Sequence, residues 1–235
     1  MRSVLVFGGS RGIGAACVRV FAREGDRVAF TYRSSREQAA LLEKETGALP
    51  VLCDAADEKA MLGLPERLPF RPDTLVYSAG VAHTGLIQDM TVPEWDTLQS
   101  IDLRGAFLAV KAFVPFMISR KRGSIVLIGS MWGQAGASCE AAYSAAKAGV
   151  TGLMKALAKE LGPSGIRVNA VSPGVVDTDM MAAYSKEDRE ALRQETPLER
   201  LGTPQDIAES VEFLCSARAS FITGVDLPVN GGFVI

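Results

Sequence analysis

Ser3-Val4-Leu5-Val6-Phe7-Gly8-Gly9-Ser10-Arg11-Gly12-Ile13-Gly14 lies near the start of the chain, and its reading decides the architecture. Val4 to Phe7 is a continuous apolar run, the pattern of a strand covered on both faces. Glycines follow at once, and a helical pattern takes over from Ile13 to Glu24. A glycine-rich turn at this junction lets the backbone adopt positive φ, and lets N–H groups at a helix N-terminus approach a phosphate closely. The spacing is Gly8-x3-Gly12-x-Gly14 rather than GxGxxG, so the position in the first strand–helix unit carries as much weight as the glycines.

Outward from this stretch, short aliphatic runs alternate with longer helical patterns. Strands are predicted at Ser3–Phe7, Arg27–Tyr32, Val51–Cys53, Thr74–Tyr77, Ser124–Ile128, Arg167–Val171 and Val225–Val229. Helices are predicted at Ile13–Glu24, Arg36–Glu45, Glu94–Ser119, Ala141–Leu161 and Gln205–Ser216. Pro65, Pro69 and Pro72 leave room for only a short helix around Glu58–Leu64. Such alternation means parallel βαβ crossovers. The expected fold is α/β: a single Rossmann domain over residues 1–235, doubly wound, with a mainly parallel seven-stranded sheet and helices on both faces.

Composition narrows the class. With 235 residues, 48% of them hydrophobic, the chain fills one core and is too apolar for disorder. A net charge of −2 argues against a nucleic-acid platform or a polybasic membrane anchor. Four cysteines without CxxC pairing and a single histidine, His83, argue against a disulfide scaffold, a zinc site and Ser-His-Asp catalysis. No run approaches a membrane span, and no secretion signal precedes Val4, so a reducing cytoplasm is the expected location.

The ligand of the glycine loop is a dinucleotide by this reading, and charge indicates which one. NAD binders place an acidic residue at the end of the second strand, whereas an arginine there suits a 2′-phosphate. Here that strand ends Thr31-Tyr32-Arg33-Ser34-Ser35, and Arg11 lies within the loop. Two guanidiniums with nearby hydroxyls form a phosphate clamp, so the expected cofactor is NADP(H), held through Gly8, Ser10, Arg11, Gly12, Ile13, Gly14, Arg33 and Ser34. Solvated surface arginines are the plain alternative.

Tyr143-Ser144-Ala145-Ala146-Lys147 places a phenol and an ammonium on one helix face. A neighbouring Lys⁺ favours phenolate, drawing the tyrosine from its ordinary value of about 10 toward the range of proton transfer. Ser130 lies thirteen residues earlier, just after an apolar strand.

Over its whole length the sequence resembles the short-chain dehydrogenase/reductase family. The resemblance rests on Gly8–Gly14, Ala79-Gly80, Ser130, Tyr143-x-x-x-Lys147, Pro173-Gly174 with Thr178, and Asn230-Gly231-Gly232. It implies that Tyr143 is the general acid, that Lys147 binds the nicotinamide ribose and lowers the Tyr143 pKa, and that Ser130 hydrogen-bonds the carbonyl. It further implies cofactor contacts at Ala79, Gly80, Tyr143, Lys147, Pro173, Gly174, Val176 and Thr178, with Asp54 at the adenine. No metal is implied. Phe7 stands where the family usually has Thr, and Tyr77-Ser78-Ala79-Gly80 replaces Asn-Asn-Ala-Gly. Asp102 stands in place of the Asn that completes a proton relay. A carboxylate accepts hydrogen bonds but donates none. The relay's water can rest on the backbone carbonyl there, so activity is expected to persist, and a change beyond about tenfold in Asp102→Asn would make the side chain matter.

Within the family the general likeness is to 3-oxoacyl-acyl-carrier-protein reductases, which implies a ketone on a carrier-protein thioester. Lys121 and Arg122 suit an acidic carrier; Ser164 stands where a second basic residue is expected. The loop Ser130–Glu140 also resembles that of reductases acting on an aminopentanone group of elongation factor P. Trp132, Gln134 and Glu140 carry that likeness, and with Met180 they are the candidate substrate contacts. Residues 179–200 read as a helical lid. The family's habit implies a homotetramer or homodimer through Glu94–Ser119 and Ala141–Leu161. A catalytically silent NADP(H)-binding sensor is the alternative of a different class, opposed by the intact Ser130, Tyr143 and Lys147.

Overall fold

Strand β1 (Ser3–Phe7) lies inside the sheet, between β2 (Arg27–Tyr32) and β4 (Thr74–Tyr77). The computed structural model describes residues 1–235, the side chain of Ala183 excepted. Among the described residues the strands form a seven-stranded sheet in the order β3-β2-β1-β4-β5-β6-β7. The remaining strands are β3 (Leu49–Leu52), β5 (Gly123–Ile128), β6 (Ile166–Pro173) and β7 (Asp226–Val229), and each adjoining pair is parallel.

Parallel neighbours need crossovers, and these cover both faces. Helices α1 (Gly12–Arg23), α2 (Arg36–Thr46) and α10 (Pro204–Cys215) meet one face; α6 (Gly105–Arg120) and α8 (Ala141–Leu161) meet the other. Alternation along β1 shows why its whole run is apolar. Val4 and Val6 pack with Val18, Phe21, Ile207 and Val211, whereas Leu5 and Phe7 pack with Phe113, Met117, Val150 and Met154. Each of these side chains contributes roughly 1.5–3 kcal/mol by leaving water.

Several predicted boundaries change. The β3–β4 crossover is short, as the prolines require, but splits into α3 (Glu58–Leu62) and α4 (Leu64–Arg67) around Gly63 and Pro65. Strand β3 begins at Leu49, β5 at Gly123 and β6 spans Ile166–Pro173, because pairing continues past the apolar runs. The long helix expected over Glu94–Ser119 is not continuous. It runs as α5 (Val92–Gln99), a π-helical turn at Ser100–Arg104, and then α6. One short helix was not foreseen, α7 (Met131–Ala135), capped by Ser130, whereas the 3₁₀ turn Asp179–Ala183 opens the segment read as a helical lid. Helix α9 (Lys186–Glu195) lies inside the segment read as a lid. No helix among the described residues is long and apolar enough to cross a membrane.

The order of strand addition reverses between β1 and β4, and such a switch point opens a crevice at the C-terminal strand ends. Gly8 follows β1 there, Ser78-Ala79-Gly80 follow β4, Ser130 follows β5 and Gly174 follows β6.

Candidate active site

The glycine loop is folded against its neighbours. Gly8 has φ +72°, and a Cβ there would lie 2.7 Å from the backbone of Ala79. The Gly8 N–H donates to Thr31 Oγ1 (3.1 Å) and the Gly9 N–H to the Thr31 carbonyl (2.9 Å). Among the described residues no side chain caps the N-terminus of α1. Its first amides therefore remain for an outside acceptor, and the helix dipole favours an anion there. A Cβ on Gly12 would reach Thr178 Cγ2 at 3.5 Å, so Thr178 overhangs the loop. A glycine-lined backbone and free amides beneath Thr178 suit a pyrophosphate; the residues present fit a dinucleotide.

The far end of that groove lies beside β2. Arg33 and Ser34 are exposed, and Arg11 forms an exposed pair with Asp179 (3.4 Å). The Cys53 N–H donates to the Tyr32 carbonyl (2.9 Å), which sets Asp54 alongside the end of β2; Asp54 Oδ1 accepts the Ala56 N–H (3.0 Å). Val176 bridges Gly202, and this pins the stretch from Gly174 to Thr178. Gly174 packs on Asn230, whose side chain closes the following turn by accepting the Gly232 N–H (2.9 Å).

Ser130, Tyr143 and Lys147 are brought together by β5, α7 and α8. Ser130 is the N-cap of α7: its Oγ accepts the Trp132 N–H (3.2 Å), so its own proton remains free to give. Helix α7 packs closely on α8, since a Cβ on Gly133 would meet Lys147 at 2.8 Å. Lys147 Nζ lies 5.4 Å from the Tyr143 ring centroid and donates to the Ile128 carbonyl (3.2 Å). Burial pushes the Tyr143 phenol above its ordinary value; Lys147 and Ser130 pull it down, while Asp102 and Glu140 oppose them.

The Asp102 side chain reaches into this centre. It is fully buried on the π turn, its Oδ1 lies 3.0 Å from Lys147 Nζ, and its Oδ2 accepts the Val81 N–H (2.9 Å). Burial works against the Lys147 ammonium, but Asp102 and then Tyr143 outweigh it, and the lysine is held above its ordinary value. The Val81 amide, the Ile128 carbonyl and Tyr77, whose hydroxyl donates to the Ile101 carbonyl, were not among the residues expected here. The first two act through backbone atoms, which residue type does not reveal.

The expected substrate contacts separate. Trp132 stands edge-on to Phe233 (5.8 Å between centroids). Glu140 is partly buried, which pushes its carboxyl up, and its charge is felt by both Tyr143 and Tyr184. Gln134 is exposed, and its amide donates to Asp226 Oδ2 (2.9 Å) on β7. Met180 is exposed, whereas its neighbour Met181 is buried. His83 faces Glu94 (3.7 Å), and Cys139 sits in the loop before α8 with φ +64°.

The sequence matches the family described as enoyl-(acyl carrier protein) reductase over residues 8–234. It is 38% identical to the "uncharacterized oxidoreductase YmfI" of Bacillus subtilis (strain 168), over 99% of this chain and 98% of that protein. It is likewise 38% identical to the 3-oxoacyl-acyl-carrier-protein reductase FabG of Staphylococcus aureus (strain Mu50), over 98% of this chain and 97% of the relative. Two solved 3-oxoacyl-acyl-carrier-protein reductase structures from Brucella melitensis superpose with TM-scores of 0.95 and 0.93, at 31% and 30% identity. Each covers 100% of this chain and 92% of its own, and the second holds bound NAD. The chain belongs to the short-chain dehydrogenase/reductase family, oxidoreductases that use a nicotinamide cofactor on CH–OH and C=O groups.

Proposed function

We propose that the protein is an NADPH-dependent reductase of a 3-oxoacyl thioester, of the acyl-carrier-protein type. The observation that carries this reading is a buried Lys147, an N-capping Ser130 and the Tyr143 phenol grouped beside an uncapped, glycine-lined helix N-terminus. The relatives' names support the thioester. A dinucleotide held on the glycine loop would supply the hydride for the carbonyl carbon. Tyr143 gives the carbonyl oxygen its proton, as a general acid held in its neutral form. Ser130 donates its free hydroxyl proton to the same oxygen, and the two donors stabilise negative charge as it develops. Lys147 holds the site's positive charge, oriented by the Ile128 carbonyl and Asp102.

Arg11, Arg33 and Ser34 support NADP(H) over NAD(H), since the end of β2 carries cationic and hydroxyl groups and no carboxylate. The Arg11–Asp179 pair is exposed, so Arg11 can exchange Asp179 for a phosphate at little cost. Arg11→Ala/Arg33→Ala is expected to raise KM for NADPH at least about tenfold and to leave KM for NADH within about twofold. An equal effect on both cofactors would refute the clamp.

A second reading is favoured by Glu140, whose partly buried carboxyl is felt at Tyr143 and Tyr184. A carboxylate there suits a ketone substrate ending in an ammonium, such as an aminopentanone group on elongation factor P. Parallel NADPH-oxidation assays on acetoacetyl thioesters and on aminopentanone-modified elongation factor P separate the two. Turnover of the thioester is the expected result, and turnover of the modified factor alone would replace this reading with the second.

A further inference from the structure

We propose that Asp102 is a positioning residue that fixes Lys147 as an ammonium and keeps the Tyr143 phenol protonated, thereby setting the pH range over which the site reduces rather than oxidises. This inference rests on the reductase reading above. The geometry begins at the π turn. Tyr77 donates its hydroxyl proton to the Ile101 carbonyl, and Gly105 admits that hydroxyl, since a Cβ at Gly105 would lie 2.0 Å from it. Gly80 gives the same room to the carboxylate, because a Cβ there would lie 2.8 Å from Asp102 Oδ1 and 3.5 Å from Lys147 Nζ. Three residues on β4, the loop after it and the start of α6 thus shape a place that admits the Asp102 side chain.

The consequence is electrostatic. A lone lysine ammonium beside a buried phenol favours phenolate. Here a carboxylate stands 3.0 Å from that ammonium and is buried with it. The pair presents Tyr143 with little net charge, and desolvation then decides in favour of the neutral phenol. The groups that face the phenol are Lys147 from α8, Glu140 at the N-cap of α8, Asp102 from the π turn and the Ser130 hydroxyl at the N-cap of α7. Tyr77 of β4 lies behind Asp102, with Asp54 beyond it, and Tyr184 lies beside Glu140. Both carboxylates near the phenol oppose its ionisation, and burial acts in the same direction. A carbonyl reductase needs the protonated phenol; alcohol oxidation needs the phenolate. The arrangement therefore suits proton donation up to high pH.

The test is the pH dependence of kcat/KM in both directions, with NADPH and acetoacetyl thioester forward, and NADP⁺ and 3-hydroxybutyryl thioester in reverse. In the unaltered enzyme the alkaline limb of reduction is expected at or above the ordinary phenol value of about 10. In Asp102→Asn, the alkaline limb of reduction and the acid limb of oxidation should move down together by about one unit or more. A packing role alone would lower the rate at every pH and leave both limbs in place, and that outcome overturns the proposal. A limb near neutral pH in the unaltered enzyme overturns it without any variant. Tyrosinate absorbance, titrated in the unaltered protein and in Asp102→Asn, each against its Tyr143→Phe counterpart, reads the same ionisation without turnover. Absence of ketone reduction would count against the reductase reading, while this titration still decides the role of Asp102.

Discussion

Tyr143→Phe is expected to lower kcat for ketone reduction by roughly 10²–10⁴-fold, or ~2.7–5.5 kcal/mol of barrier. The substitution removes one oxygen from a ring that keeps its packing against Leu98, Ala142 and Ala146. Ser130 remains, anchored by the Trp132 amide, and Lys147 remains, held by Asp102 and the Ile128 carbonyl. What disappears is the proton donor. The loss should therefore fall far more on kcat than on the dissociation constant for NADPH, which single-turnover kinetics and fluorescence titration measure separately. A variant that keeps NADPH-dependent reduction would remove Tyr143 from the chemistry.

The second large effect is expected at Gly8. An alanine there meets two obstacles at once. Its φ of +72° lies in the left-handed region, which costs a non-glycine residue roughly 1–2 kcal/mol. Its Cβ would stand 2.7 Å from the Ala79 backbone, an overlap that typically costs a further ~1–3 kcal/mol and moves the chain. The Gly8 N–H, bound to Thr31 Oγ1, and the Gly9 N–H, bound to the Thr31 carbonyl, would have to shift with it. Gly8→Ala should melt several degrees lower and bind NADPH at least about tenfold more weakly. Unchanged melting and affinity would show that the loop does not require glycine at this position.

Much of this was legible in the sequence, for reasons tied to particular residues. Val4–Phe7 and Ile125–Ile128 are buried from both sides, so apolar runs without alternation marked strands of a parallel, covered sheet. The glycines were legible because a strand-to-helix turn that approaches other backbone closely tolerates few alternatives. Helix α7 was not, since five residues are too few to show a period; its start is marked only by the Ser130 cap. The π turn was not, because one extra residue per turn barely disturbs a helical pattern between Glu94 and Ser119. The contacts that accommodate it lie at Tyr77 and Gly105, one of them on a different element. Asp102 was noticed as a departure from the family's relay Asn, with the relay expected to persist through the backbone carbonyl at that position. That its Oδ1 faces the Lys147 ammonium follows only from the packing of the π turn against α8. Gln134 shows the limit of loop resemblance: its amide is engaged by Asp226, which also accepts from Ser172 and Thr151.

The most direct test of the whole account is the stoichiometry of one reaction. The purified protein is mixed with NADPH and an acetoacetyl thioester, and NADPH absorbance is followed while the thioester is resolved by mass. One 3-hydroxybutyryl thioester formed for each NADPH consumed is the predicted result. Tight NADPH binding with no consumption, on this ketone and on aminopentanone-modified elongation factor P, would contradict it.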